Sequence, residues 1–307
     1  MGPRDHCGPE HNRDSLHPVK ATRVVVAAGV LAAAFLAACA STSRPPAVSL
    51  ALASSVPALT LGKFVWHDLA TDDAPAARRF YSELLGWEFT ETTRRNKPYA
   101  IARKDGRLVA GMVAVDPVPD QEVSQWIGYQ SVANVDDSVA AVLNAGGKTL
   151  VPPVNVAVGR AAVVSDPQGA PLGLARLAAG DPPDPPEPVL GTFFWMEYLA
   201  RDPDAATIFF TSTFGYEKKV TDRLGGKEYT VLSRGRPRGG VLPAPRPEMR
   251  STWLCYVLVD DPTALAVKAR SLGGTVLLEP RAEVRNASLA VVMDPSGAIL
   301  ALQKYPF

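Results

Sequence analysis

From Phe64 to Leu69 aromatic and branched residues run together up to a polar exit at Thr71-Asp72-Asp73. Apolar side chains then return at helical spacing: Ala77, Phe80, Tyr81, Leu84 and Leu85 share one face, and Arg78, Arg79 and Glu83 fall elsewhere. The pattern predicts a strand followed by an amphipathic helix. Asp73 is placed to cap that helix, Pro75 is tolerated in its first turn, and Gly86 suits a left-handed stop. The same grammar returns 129 positions on, where Gly62, Trp66, Asp68, Asp73, Phe80 and Gly86 meet Gly191, Trp195, Glu197, Asp202, Phe209 and Gly215. In this second copy Phe209, Phe210 and Phe214 point inward.

Three further strands are predicted after the first helix, at Trp87 to Thr92, Tyr99 to Arg103 and Leu108 to Val115, with turn chemistry at Asn96-Lys97-Pro98 and Asp105-Gly106. A second unit follows the polar stretch after Val115. It has a strand from Trp126 to Val132, a helix from Asp136 to Asn144 stopped by Gly146-Gly147, and strands near Thr149, Ala161 to Val164 and Leu172 to Arg176. This layout recurs at an offset of 127, so that Trp126, Tyr129 and Val132 meet Trp253, Tyr256 and Val259. Asp166-Pro167-Gln168-Gly169 and Asp294-Pro295-Ser296-Gly297 are turns that launch the last strand of each half. The prolines of 180–189 forbid a helix and mark a linker. The reading is an α+β chain of four βαβββ modules in two pairs, with domains at 61–179 and 190–307.

Composition adds little to the core and more to the N-terminus. With 32 basic against 31 acidic residues, no basic footprint argues for a nucleic-acid partner. Residues 1–38 carry a basic lead-in and an apolar run from Val24 to Ala38, short for a bilayer crossing but suited to an export signal. Leu36-Ala37-Ala38-Cys39 resembles the bacterial lipobox, which implies lipidation at Cys39. A plain export signal or an uncleaved anchor is the alternative. Residues 39–60 are small and Ser/Ala/Pro-rich, the composition of a flexible tether. The expected location is therefore the bacterial cell envelope, periplasmic or outer surface, held by a lipid anchor. Cys255, the one cysteine left in the globular part, lies in an apolar run where a buried inert thiol is expected.

Strand, then D-x-x-A-A-x-x-F-Y with an L-G-W end, then W-x-x-Y-x-x-V with a Gly-Gly stop, then D-P-x-G-A before a final strand: this resembles the vicinal oxygen chelate superfamily, which includes glyoxalase I, extradiol dioxygenases and bleomycin resistance proteins. The resemblance spans Leu61 to Gln303 as two tandem domains. It implies sheets curled around a cleft that holds a small molecule, often with a divalent metal. In the metal-using members a His or Gln on the first strand and a Glu on the last are ligands. The matching positions here are Trp66 and Trp195, then Gly173 and Ala301, and the start of each second module offers Ile127 and Gly128 or Leu254 and Cys255. No metal ligand and no cofactor is expected from such residues.

His67 is the one histidine outside the leader, and its repeat partner is Met196. A packed structural role is expected, with a general base or a metal ligand as the alternatives. Strict alternation puts Phe64, Trp66 and Asp68 on one strand face and Phe193, Trp195 and Glu197 on its counterpart. With Trp126 and Trp253 added, these aromatic residues are the candidate ligand-binding set, and Asp68, Glu197 and His67 are the candidate catalytic groups. Arg103 and Arg160 are candidate partners of the two carboxylates. Three functions remain open: a metal-free module binding an aromatic or hydrophobic compound, a metal-independent enzyme using Asp68 or Glu197, and a structural or interaction protein with filled clefts. Tandem domains also make a monomer the expected state.

Overall fold

The computed structural model describes residues 58–94, 97–119, 123–224 and 227–305. Cys39 and the leader lie outside them. The first half runs β1 (Phe64–Thr71), α1 (Ala74–Leu85), β2 (Glu88–Arg94), β3 (Lys97–Lys104), β4 (Arg107–Ala114), β5 (Gln125–Ser131), α2 (Val135–Asn144), β6 (Lys148–Val156), β7 (Gly159–Ser165) and β8 (Pro171–Leu177). The second half repeats it as β9 (Phe193–Ala200), α3 (Pro203–Phe214), β10 (Glu217–Leu224), β11 (Lys227–Arg234), β12 (Arg236–Pro243), β13 (Thr252–Leu258), α4 (Pro262–Ser271), β14 (Thr275–Leu278), β15 (Leu289–Met293) and β16 (Ile299–Gln303). These are four βαβββ modules.

Each half forms one eight-stranded sheet, in the orders β2-β3-β4-β1-β5-β8-β7-β6 and β10-β11-β12-β9-β13-β16-β15-β14. The two modules of a half join where β1 pairs antiparallel with β5 and β9 with β13. The helix signals act as read. Asp73 and Asp202 accept from the amides of Ala76 and Ala205 at 3.0 and 2.9 Å. Gly86 and Gly215 close α1 and α3 at φ 68° and 65°, a conformation glycine adopts without Cβ strain.

The helix-bearing faces of the two sheets share a single core. It contains Leu69, Phe80, Tyr81, Trp87 and Trp126 from the first half with Tyr198, Phe210, Phe214 and Trp253 from the second. Hydrogen bonds cross it: Trp87 Nε1 donates to the Gly191 carbonyl at 2.7 Å, and Tyr216 Oη donates to the Gly62 carbonyl at 2.7 Å. The stretch between β8 and β9 is strapped down as well. Asp184 binds Lys63 at 3.1 Å and Arg238 at 2.9 Å, one cation from each half. These contacts fix how the domains meet, which the prolines alone leave open.

Candidate functional site

The helix-free faces carry separate clusters and are the two candidate sites. On the first lie Trp66, Tyr99, Ile101, Ile127, Tyr129, Val151 and Val163. On the second lie Leu199, Leu254, Tyr256 and Leu289, with Phe194, Trp195, Leu242, Met249, Leu278, Val284 and Val291 partly buried around them.

Trp66 and Trp195 take the places expected of them, each two residues from a carboxylate on the same face. Trp66 Nε1 donates to Asp68 Oδ1 at 2.8 Å, and Tyr99 Oη donates to the same oxygen at 3.0 Å. In the second domain the chain of bonds is longer by one step. Trp195 Nε1 donates to Tyr229 Oη at 3.0 Å, and Tyr229 Oη donates to Glu197 Oε1 at 2.8 Å. Tyr256 donates to the other Glu197 oxygen.

Four members of the predicted aromatic set lie on the opposite face. A β-bulge between Phe64 and Trp66 adds a residue to β1, and the matching irregularity separates Phe193 from Trp195 on β9. An extra residue breaks the period of two, so Phe64 and Phe193 turn toward the shared core and Phe194 joins Trp195 instead. Trp126 sits opposite Leu69, and Trp253 opposite Tyr198, so both share the helix side rather than that of the carboxylates. Trp126 Nε1 donates to Tyr81 Oη at 2.9 Å there.

His67 also lies on the helix side. Its ring stacks on Phe193 with centroids 3.9 Å apart, and Nε2 is 3.4 Å from Met196 Sδ. Burial lowers its pKa to about 3, so it stays neutral through the physiological range. Cys255 is fully buried, and desolvation pushes its thiol up.

The proposed arginine partners lie elsewhere. Arg160 forks onto Asp136 at 2.5 and 2.7 Å, and Arg103 donates to the Gly106 carbonyl at 3.3 Å. Arg285, for which the repeat gives no signal, does meet a candidate carboxylate. Its guanidinium pairs with Glu197, donates to Gln303 Oε1 at 2.9 Å, and lies 5.2 Å from the centre of the Tyr256 ring. The repeat offset changes from 127 to 128 between the Gly-Gly stop and the D-P-x-G turn, and either count puts an apolar residue, Val158 or Ala157, where the second half has Arg285. Tyr99, Tyr229 and Arg285 carry no local motif, because only the sheet brings them beside their carboxylates. Burial, and then Glu197, raises the pKa of both Tyr229 and Tyr256, which keeps them as protonated donors.

The ligand positions implied by the family resemblance do not fit a cation. Beyond the indoles of Trp66 and Trp195, Gly173 stands opposite Tyr129 and Ala301 opposite Tyr256. A Cβ placed on Gly173 would come within 2.2 Å of the Tyr129 ring, so tyrosine fills the space a glutamate there would need. Among the described residues no group of three His, Cys, Asp or Glu side chains gathers.

A paired βαβββ sheet with a carboxylate and an aromatic residue on its helix-free face, present twice, defines a tandem glyoxalase-like protein. The chain belongs to the Glyoxalase/Bleomycin resistance protein/Dioxygenase superfamily, whose pattern it matches over residues 62–174. It is 32% identical over 252 residues to "Putative glyoxylase CFP32" of Mycobacterium tuberculosis, covering 78% of this chain and 93% of that protein. It is 30% identical over 257 residues to "Anthracycline biosynthesis protein DnrV" of Streptomyces peucetius, covering 77% and 91%. Among solved structures, the Mn(II)-bound glyoxalase from Novosphingobium aromaticivorans aligns with a TM-score of 0.52 at 17% identity, over 80% of this chain and 82% of that one. The catechol dioxygenase BphC aligns with a TM-score of 0.51 at 14% identity, over 80% and 87%. Likeness at this distance establishes the fold.

Proposed function

We propose that this chain binds a planar aromatic or hydrophobic compound on the helix-free face of its second domain, without a metal ion. The observation that carries the reading is a difference between the two faces. In the first domain Trp66 is 6% exposed, Tyr99 2% and Tyr129 2%, so the protein's own rings occupy the space. In the second, Phe194 and Trp195 stay partly exposed beside a buried carboxylate held by two tyrosines and an arginine. An apolar wall with a few fixed polar groups is the usual make-up of a small-molecule site. The Streptomyces relative is named for the biosynthesis of anthracyclines, which supports flat polycyclic compounds as the first class to try. The first domain then serves as the scaffold against which the second is built.

The test is a fluorescence titration with a panel of planar polycyclic quinones, in wild type and in Trp195→Ala and Trp66→Ala. Saturable quenching lost in Trp195→Ala and kept in Trp66→Ala is expected. Binding that survives Trp195→Ala and vanishes in Trp66→Ala would move the site to the first domain. An absence of binding across the panel favours a scaffold role for both domains.

The same proposal places the protein on a membrane surface through a lipid on Cys39, with the tether of 39–60 between, and takes the tandem chain to act as a monomer. Palmitate labelling lost in Cys39→Ser, and a sedimentation mass of a single chain, below the 32.7 kDa of the full sequence once the leader is removed, are the expected results.

A further inference from the structure

Between β14 and β15 the chain folds back against the second-domain face instead of making a plain hairpin. β14 has 4 residues where its counterpart β6 has 9. The intervening segment closes on itself: the Val284 amide donates to the Arg281 carbonyl at 2.9 Å, the Ala287 amide to the same carbonyl at 3.0 Å, and the Ser288 amide to the Arg285 carbonyl at 3.0 Å. Val284 packs against the cluster of Leu254 and Tyr256.

Three consecutive residues of this segment are left-handed, Arg285, Asn286 and Ala287, with φ of 48°, 51° and 60°. Asparagine tolerates that region, but a run of non-glycine residues does not form by local preference. Each Cβ is pushed toward the following carbonyl, a roughly tenfold penalty in population per residue. Such strain persists where surrounding contacts hold it. Here the contacts are those of Arg285, whose side chain is 5% exposed and reaches Glu197 on β9 and Gln303 on β16. Gln303 is fixed in turn, donating to the Ser288 carbonyl at 3.0 Å and to Ser288 Oγ at 2.7 Å.

We infer that residues 281–288 are a lid over the second-domain face, latched by Arg285 on Glu197 against the strain of the lid's own backbone. Trp195 is already partly exposed, and the rest of the face, around Leu254 and Tyr256, opens to a ligand when the ion pair parts and the left-handed turn relaxes. The inference rests on this face being the ligand site, yet the latch can be measured with no ligand present.

Two readouts report on it in the full chain. Arg281 is exposed and marks a tryptic site within the lid. Trp195 is the partly exposed indole, whereas Trp66, Trp87, Trp126 and Trp253 are all at 7% or less, so acrylamide quenching reads Trp195. Arg285→Met, and the charge-balanced Glu197→Gln/Arg285→Met, are expected to raise cleavage at Arg281 about tenfold and to raise quenching above that of wild type. Ala287→Gly relieves one strained residue and keeps the latch, and is expected to slow cleavage about fivefold. Cooperative thermal unfolding of each variant confirms that it is folded. If Arg285→Met does not fold, Ala287→Gly decides, and an unchanged cleavage rate there overturns the lid. Stopped-flow binding of a planar quinone adds the gating arm, with a tenfold faster on-rate expected for the unlatched double variant. A wild type that binds while the variants bind at its rate overturns the lid alone. No quinone binding by wild type defeats the ligand reading, and the gating with it.

Discussion

Glu197 and Arg285 lie 88 positions apart in the chain and form a buried ion pair across the second-domain face, with side chains 2% and 5% exposed. A buried pair is weak support for stability as a whole, but losing one partner is costly because the other charge remains out of water. Glu197→Gln is therefore expected to cost about 3–5 kcal/mol in urea unfolding. The double variant Glu197→Gln/Arg285→Met should lose clearly less than the sum of its two single changes, since it leaves no orphan charge. Additive losses would show that the two side chains are not coupled.

Gly173 is a space requirement imposed by Tyr129. Gly173→Ala is expected to destabilise by about 1–3 kcal/mol, the usual range for forcing atoms into a packed site. Trimming the ring in Tyr129→Ala/Gly173→Ala should recover part of the loss attributable to the clash, read as a positive coupling in a double-mutant cycle of urea midpoints.

His67 gives the fold a pH dependence of known sign. Its folded pKa is depressed to about 3 against an ordinary 6.5, so the unfolded chain binds the extra proton between those values. The contribution is fully present above pH 6.5 and is lost as pH falls toward 3. The slope is at most about 1.4 kcal/mol per pH unit. Stability of wild type measured at pH 7 and pH 5 should differ by more than that of His67→Phe, and equal differences would place the acid sensitivity elsewhere.

Asp184 acts at the domain junction. Arg238 and Lys63 hold its carboxylate at a pKa of about 2, below the ordinary 3.8. Its stabilisation is present above pH 3.8 and disappears as pH drops toward 2. At neutral pH, Asp184→Asn is expected to cost on the order of 1 kcal/mol. Because Asp184 bridges cations of both halves, the loss should also appear as faster proteolysis of the strap between the sheets.

Much of the fold was legible because it depends on short-range signals. Asp73, Asp202 and the two closing glycines announce their helices within a dozen residues, and the repeat offset reports a duplication whatever the fold is. The faces of β1 and β9 were legible only in part. Alternation places Trp66, Asp68, Trp195 and Glu197, and it holds up to the bulge. Beyond it, Phe64 and Phe193 cross to the other side, and no residue type at Val65 or Phe194 signals the insertion. Trp126 and Trp253 depended on knowing their cross-strand partners, Leu69 and Tyr198, which is a matter of register between distant segments.

The sequence by itself determined the duplicated βαβββ plan, the capped helices and the absence of nitrogen or oxygen ligands at the positions the family resemblance marks for a metal, because each of these follows from residue identity or local spacing. Tertiary structure alone decided that two helix-bearing faces merge into one core, that His67 is sealed in it, and that Arg285 rather than Arg103 or Arg160 meets Glu197. Those outcomes depend on sheet register, on a bulge and on a left-handed turn held by contacts from distant strands. The duplicated strand with Trp66 and Trp195 thus carries the family's plan in both halves, while the difference between the halves comes from a loop that joins it only in three dimensions.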